Sequence, residues 1–387
     1  MAAKVPEAGS QNRVWYYARK PTSPQEQVAS KIFEYKDVPG GILALKDGDF
    51  MCRTLAVGIA PHAICFLDLP GSDTGAEMSG LERCKVGESI KSEWVGEIIA
   101  SKSKKWPVGE RVSCFSELGD YAVLNENQKT PPPNKIPPFL QTENVLGMGA
   151  ALTAHMVINR NPYGSVDDGD GCCGLFAGVK KLFGKLSGKP VPQKTVLVTT
   201  AAGGVGSMAG QLYKDKGCKV IGVTSSREKA DRLLGVGFDK AIAYRTEDMD
   251  ERLGELAPEG IDVFFDNAGG EHLDAGTKHM KKGGKIVQVG CSSEIPNYCT
   301  GKMHGWLQYH TICARELRIG GFLLTNHLQH IPATAMCIMF LLWRGRIKFQ
   351  DTVIRGGLDS YATSVDKLST GAAFGRLVLM VEGSDVN

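Results

Sequence analysis

Residues 196–206 read VLVTTAAGGVG, and the fold turns on how this stretch is understood. An apolar run rich in β-branched residues stops at Thr200 and delivers Gly203, Gly204 and Gly206, with Val205 between them, just before a helical pattern begins. A strand that turns this sharply into a helix needs glycine for the turn, for close backbone approach to a pyrophosphate, and for tight packing of helix on strand. Free N–H groups at the helix start then hold the anion. Taken alone, such a turn also fits an ordinary strand-to-helix loop. The following residues favour the phosphate reading. Met208, Ala209, Leu212 and Tyr213 fall near helical spacing, Gly217 closes the helix, and Lys219 to Val223 read as the next buried strand.

At the end of that second strand a carboxylate would normally hold the ribose hydroxyls of NAD. Here residues 223–229 read VTSSREK. Thr224, Ser225, Ser226, Arg227 and Lys229 supply hydroxyls and positive charge, which suit a phosphate, so the expected cofactor is NADPH. Ser225 or Ser226 followed by Glu228 also fits a helix cap, and both readings can hold together.

The 387 residues exceed what one core usually organises, and 42% hydrophobic residues allow a sizeable interior. A net charge of +3 over this length gives no reason to expect a nucleic-acid partner. The first residues, MAAKVPEAGSQNR, lack an apolar signal segment and no run approaches bilayer length, so a cytoplasmic location is expected, with an organellar address left open. Eleven scattered cysteines suit a reducing compartment. Cys52, Cys65, Cys84 and Cys114 are too far apart for a structural zinc lobe, His62 has no local ligand cluster, and Cys172 and Cys173 are adjacent, so no metal is expected.

Along the chain, short apolar or alternating runs at Phe50 to Val57, Ser92 to Ile99, Arg111 to Phe115 and Tyr121 to Leu124 predict an irregular β domain over residues 12–145. Pro131 to Pro138 reads as a rigid extended connector. Over residues 146–325, runs such as DVFFDNAGG and GGKIVQVG alternate with helical stretches, as a parallel sheet requires. From 326 to 387, a helix at Ile331 to Trp343 and strands at Asp351 to Ile354 and Arg376 to Val381 are expected to return to the first domain.

These motifs, with LGMGAALTAH at 146–155, VLVTTAAGGVGSMAGQ, TSSREKADRLLGVGFDKAIAY, GGFLLTNH and the closing GAAFGRLV, resemble the zinc-independent medium-chain dehydrogenases/reductases. Within them, the chain is similar to the prostaglandin reductase and alkenal double-bond reductase branch over most of residues 50–383. The resemblance implies an α/β fold: a GroES-like β domain interrupted by a Rossmann domain with a doubly wound parallel sheet. It implies that Gly203 to Gly206 touch the pyrophosphate, and that Lys229 and Tyr244 flank the ribose 2′-phosphate. Asn267 would lie near the ribose and nicotinamide. The stretch from Gly290, including Ser292, and the segment Phe322, Leu323 and Leu324 would border the nicotinamide end, although the latter also reads as a plain core strand. Two departures stand out. Ala373 and Arg376 replace an asparagine and a lysine of the closing motif, and the family's tyrosine near the nicotinamide is matched only loosely by Tyr298 in SSEIPNYCTG.

The implied chemistry is hydride transfer to the β-carbon of an enone or enal, either 15-oxoprostaglandin-like or lipid-derived, followed by protonation at the α-carbon. It needs only orientation of the two reactants and a donor near the carbonyl oxygen. Tyr298 is the candidate donor, against a packing role, the cofactor ribose hydroxyl, or water. Quinone reduction and non-catalytic nucleotide binding at a membrane are the alternatives. Residues 161–193 are an insertion relative to the family. Its centre, GLFAGVKKLFGKLSG, places Leu175, Phe176, Val179, Leu182, Phe183 and Leu186 on one face and lysines largely off it. That pattern suits a packed surface helix, or a peripheral membrane contact through 175–186. Edge pairing of Leu317 to Leu324 with a second copy would make a homodimer.

Overall fold

In the computed structural model, which describes residues 5–26, 28–38, 44–70, 83–128, 132–166 and 192–381, the chain divides into two units. The first comprises residues 1–148, 295–302 and 351–387, and the second 149–294 and 303–350.

The second unit is built on six parallel strands. They are β8 (Thr195–Val198), β9 (Lys219–Thr224), β10 (Lys240–Ala243), β11 (Ile261–Asp266), β12 (Met280–Gln288) and β13 (Arg318–Gly321). Their order is β10-β9-β8-β11-β12-β13, with all five pairings parallel. Strands covered on both faces read as continuous apolar runs, which is why β8 is buried at all four positions. Strand order reverses between β8 and β11, and in such sheets ligands settle beyond the carboxyl ends at that switch point. One face packs Leu197, Ile221, Ile242, Leu253, Phe264 and Ile286 into a single cluster. Elsewhere in this unit, Tyr213 meets Phe265 edge-on at 6.2 Å and donates its hydroxyl to the Gly164 carbonyl at 2.6 Å.

The first unit holds a hairpin of β1 (Arg13–Tyr17) and β2 (Phe33–Asp37). Its main sheet has the order β14-β15-β3-β4-β5-β7, and β6 pairs with β3. The expected runs appear as β3 (Asp49–Ile59), β4 (Lys91–Ser101), β5 (Arg111–Glu117) and β6 (Tyr121–Asn125), each somewhat longer than the apolar pattern suggests. The proline connector is partly sheet: β7 (Asn134–Lys135) pairs with Val112 and Ser113. The Arg111 guanidinium anchors it by donating to the carbonyls of Pro137, Pro138 and Leu140.

The tail differs from the expected division at 326. The helix Ile331–Trp343 forms as read, but it groups with the second unit, and the chain returns only at β14 (Asp351–Gly356) and β15 (Arg376–Val381). The physical reason is a two-way bond. Gln211 donates to the Lys348 carbonyl at 3.0 Å and accepts from its N–H at 2.8 Å, while Ile338 and Ile347 are buried. Residues 295–302 join the first unit, where Gly301 lies against Pro70. From 351 onward, the tail does complete that unit. Trp15 donates its indole N–H to the Leu358 carbonyl at 3.0 Å, and the Asp366 carboxylate accepts from the N–H groups of Ala29 and Ser30.

Beneath that tail, Arg376 Nη2 donates to Glu93 at 2.6 Å, and burial pushes the Glu93 carboxyl up while the guanidinium holds it down. The pair is only partly buried, so removing one partner strands the other charge where water still reaches it. Arg376→Met is therefore expected to cost about 1–2 kcal/mol in denaturant unfolding, and Glu93→Gln added to it should recover much of the loss. A variant as stable as the parent would contradict the pairing. Nearby, burial pushes Asp351 from 3.8 to about 6, against the pull of Arg376. The folded state keeps this proton after the unfolded chain has released it, so stability falls as pH rises through that window and levels off above it. Asp351→Asn should flatten this fall, on the order of 1 kcal/mol for a group partly reached by water, in thermal melts across the window. An unchanged slope would refute the assignment.

Candidate functional site

The carboxyl ends of the parallel strands gather most of the residues singled out from the sequence. At the tip of β8 the chain turns through Thr200, a non-glycine residue in the left-handed region at φ 48°. The helix Gly204–Asp215 follows, with Gly203 as its N-cap and no side chain capping its first turn. A Cβ on Gly206 would sit 2.4 Å from the Thr200 carbonyl oxygen and 2.8 Å from Ala201 Cα, so only glycine lets the helix start this close to the strand. The first-turn N–H groups of Gly204, Val205 and Gly206 make an anion cradle of the kind a pyrophosphate fills.

One strand along, Ser226 caps the helix Arg227–Gly235, its hydroxyl accepting from Lys229 N–H at 3.4 Å. The capping role is real, and Ser225 stands half-buried just ahead of it. Lys229 is itself half-buried. Desolvation lowers its pKa first, and Arg245 and Arg232 lower it further, while Glu228 opposes them. Two further cations therefore act on Lys229, and that electrostatic setting suits a phosphate dianion. Neither arginine was singled out from the sequence. Arg232 lies three residues beyond Lys229 on the helix, a spacing that brings side chains together, whereas Arg245 comes from beyond β10. Tyr244 follows β10, is partly exposed, and meets His272 edge-on at 4.6 Å. Burial pushes the His272 pKa down.

At the other side of the switch point, β11 ends in the fully buried Asp266. Its carboxylate accepts from Thr199 Oγ1 at 2.5 Å and from the N–H groups of Ala268 and Gly269 at 3.1 and 2.9 Å. Burial pushes its pKa up while these donors hold it down. Asn267 donates its N–H to Thr199 Oγ1 and its amide to the Thr199 carbonyl, joining the tips of β8 and β11. Ser292 N–H donates to the Asn267 carbonyl, its hydroxyl meets Thr200 Oγ1 at 2.9 Å, and Gly290 N–H reaches the Asp266 carbonyl. Thr199 and Asp266 are not among the site residues read from the sequence. The signal available was an acid at the end of the apolar run DVFFD, facing a threonine at the end of its neighbour.

Phe322 donates its N–H to the Gln288 carbonyl at 3.0 Å at the end of β12, and its buried ring stacks on His327 at 4.7 Å. That is a packing role for the side chain. Leu323 is exposed and Leu324 opens the next turn. Tyr298 lies in the segment that groups with the first unit and is only 6% exposed. Arg376 is committed to Glu93, and Ala373 is buried with no polar group to offer. Among the described residues no three His, Cys, Asp or Glu side chains come together as a metal would require. Cys172, Cys173 and the stretch 175–186 lie outside the described residues.

Residues 204–338 match the family described as Zinc-binding dehydrogenase. Prostaglandin reductase 1 of Oryctolagus cuniculus is 31% identical over 84% of this chain and 81% of its own. A 2-alkenal reductase (NADP(+)-dependent) of Nicotiana tabacum is 28% identical over 79% and 81%. Among solved structures, CurA from Vibrio vulnificus in complex with NADPH shares the fold at a TM-score of 0.77 and 22% identity, covering 96% of this chain and 99% of that one. With the glycine turn, the strand order and the DNAGG strand end all in place, the chain belongs to the medium-chain dehydrogenase/reductase superfamily, in its prostaglandin and alkenal reductase branch.

Proposed function

We propose that the protein is an NADPH-dependent oxidoreductase that reduces the carbon–carbon double bond of α,β-unsaturated ketones or aldehydes, 15-oxoprostaglandin-like or lipid-derived. The observation that carries the cofactor choice is the end of β9, where Thr224, Ser225 and Ser226 stand in place of a carboxylate and lead into the helix that bears Lys229, with Arg232 and Arg245 adding positive charge. An NAD site would place a carboxylate there instead. The names of relatives at about 30% identity support the reaction class.

When bound, NADPH supplies a hydride to the β-carbon of the substrate. The chain's own part is placement. Backbone N–H groups of Gly204, Val205 and Gly206 would hold the pyrophosphate, with Gly203, whose own N–H is given to the Thr200 carbonyl at 2.9 Å, shaping the turn beside it; Lys229 with Arg245 and Arg232 would hold the 2′-phosphate, and Tyr244 would flank the ribose. Asn267, Gly290 and Ser292 would border the nicotinamide end, with the backbone of Phe322, Leu323 and Leu324 beside them. Thr199 and Asp266 are positioning residues, because their hydrogen bonds fix Asn267 and the turn that follows it. Negative charge developing on the substrate carbonyl oxygen calls for a donor, and Tyr298 is the candidate. We infer a homodimer through the open edge of β13, and a cytoplasmic enzyme; no helix among the described residues is long and apolar enough to cross a membrane.

Purified protein mixed with NADPH and a panel of enones, enals and quinones should consume the cofactor with enones and enals and yield the saturated carbonyl compound. Turnover with quinones alone would replace this reading, and tight NADPH binding with no turnover on any acceptor would make the protein a nucleotide-binding one. Lys229→Ala combined with Arg245→Ala should raise KM for NADPH by about tenfold to a hundredfold while leaving NADH use little changed. Equal losses with both cofactors would remove these residues from 2′-phosphate recognition. Tyr298→Phe should lower kcat by about a hundredfold if the hydroxyl donates to the developing oxyanion. Unchanged turnover removes it from the mechanism.

A further inference from the structure

The helix Ile331–Trp343, IPATAMCIMFLLW, buries Thr334 and Ile338 against its unit and turns Ala333, Met336, Cys337, Phe340 and Trp343 outward. These positions recur every three or four residues, so they form one stripe along the outer face. A surface helix normally carries charged and polar side chains there. This one carries none. Met336 is 64% exposed, Phe340 55% and Trp343 78%, and Leu328 in the preceding turn is 55% exposed, which makes an apolar patch rather than scattered single residues.

The charge on its own segment is one-sided. From Leu317 to Gln350 the chain has Arg318, Arg344, Arg346 and Lys348 and not a single Asp or Glu. Arg344 lies over the Phe340 ring at 5.9 Å, at the end of the stripe where Trp343 sits. Arg346 is held by an ion pair to Asp215, while the exposed Arg344 and Lys348 complete a basic border. A tryptophan and a phenylalanine beside cations, on a segment that carries no acid of its own, match the boundary between acyl chains and acidic headgroups. A second copy docked on the same face would set this basic border against itself, which like charges oppose.

We propose that this helix face is a docking surface for anionic lipid bilayers. The helix lies in the interface plane with Met336, Phe340 and Trp343 among the upper acyl chains and Arg344 and Lys348 at the headgroups. The contact is peripheral and reversible, weakens as salt rises, and is independent of which acceptor the protein reduces.

The test is flotation of the full chain with phosphatidylcholine vesicles, with and without phosphatidylserine. The protein should float only with the phosphatidylserine vesicles and be released by added salt. Met336→Ser, Phe340→Ser and Trp343→Ser together should weaken flotation by about tenfold or more, with the circular dichroism spectrum unchanged. A second readout does not depend on that variant folding: the emission lost in Trp343→Phe should be the part that shifts blue when vesicles are added. No flotation, or full flotation by the triple variant, overturns the proposal. So does loss of flotation only when Lys180, Lys181 and Lys185 are changed to Glu. Conversion of a dimer to a monomer by the triple variant, with no lipid binding by either form, would assign the face to a second copy and also overturn it.

Discussion

The helix that begins at Gly204 starts almost in contact with the strand end it follows, and the rest of the second unit is organised around that contact. A hydrogen in place of a side chain at Gly206 lets the helix N-terminus approach the Thr200 carbonyl, which any Cβ would strike. The same economy recurs one turn along, where a Cβ on Gly210 would stand 1.9 Å from the Phe238 ring. The helix is thereby pressed against the end of β8 in its first turn and against Phe238, just before β10, in its second, and its unsatisfied N–H groups end up at the point where strand order reverses. An anion site results from packing alone, before any charged side chain is considered.

The second constraint is Asp266. A fully buried carboxylate is costly unless its lone pairs are met, and here they are met by one hydroxyl and two backbone N–H groups from its own strand end and the adjacent strand. Those bonds shape the turn after β11 and orient Thr199, which in turn fixes Asn267. The two sides of the switch point are therefore coupled through hydrogen bonds no ligand has to make. Preorganisation of this kind suits a site whose chemistry depends on holding two reactants in register rather than on a strongly reactive side chain.

What could be read from sequence follows the range of the interactions involved. The glycine turn, the buried strands and the helix Ile331–Trp343 are encoded in short windows, and each appears close to where the pattern puts it. Arg245 escaped notice because its effect on Lys229 reflects pairing between β9 and β10, a neighbourhood set by the sheet. The allocation of 295–302 and of 326–350 was likewise invisible, since it rests on Gly301 against Pro70 and on Gln211 binding Lys348, contacts between residues far apart in the chain. Ala373 and Arg376 were recognised as departures from the family pattern. Only the structure shows that Arg376 has taken up a partly buried partner in Glu93.

Amide hydrogen exchange with and without NADPH tests the central claim most directly, because it reports on the backbone groups said to hold the cofactor. The account predicts that NADPH slows exchange at residues 203–207, and at 225–229 and 244–245 more strongly than NADH does. Unchanged exchange across the glycine turn in the presence of saturating NADPH, or protection confined to the first unit, would contradict it.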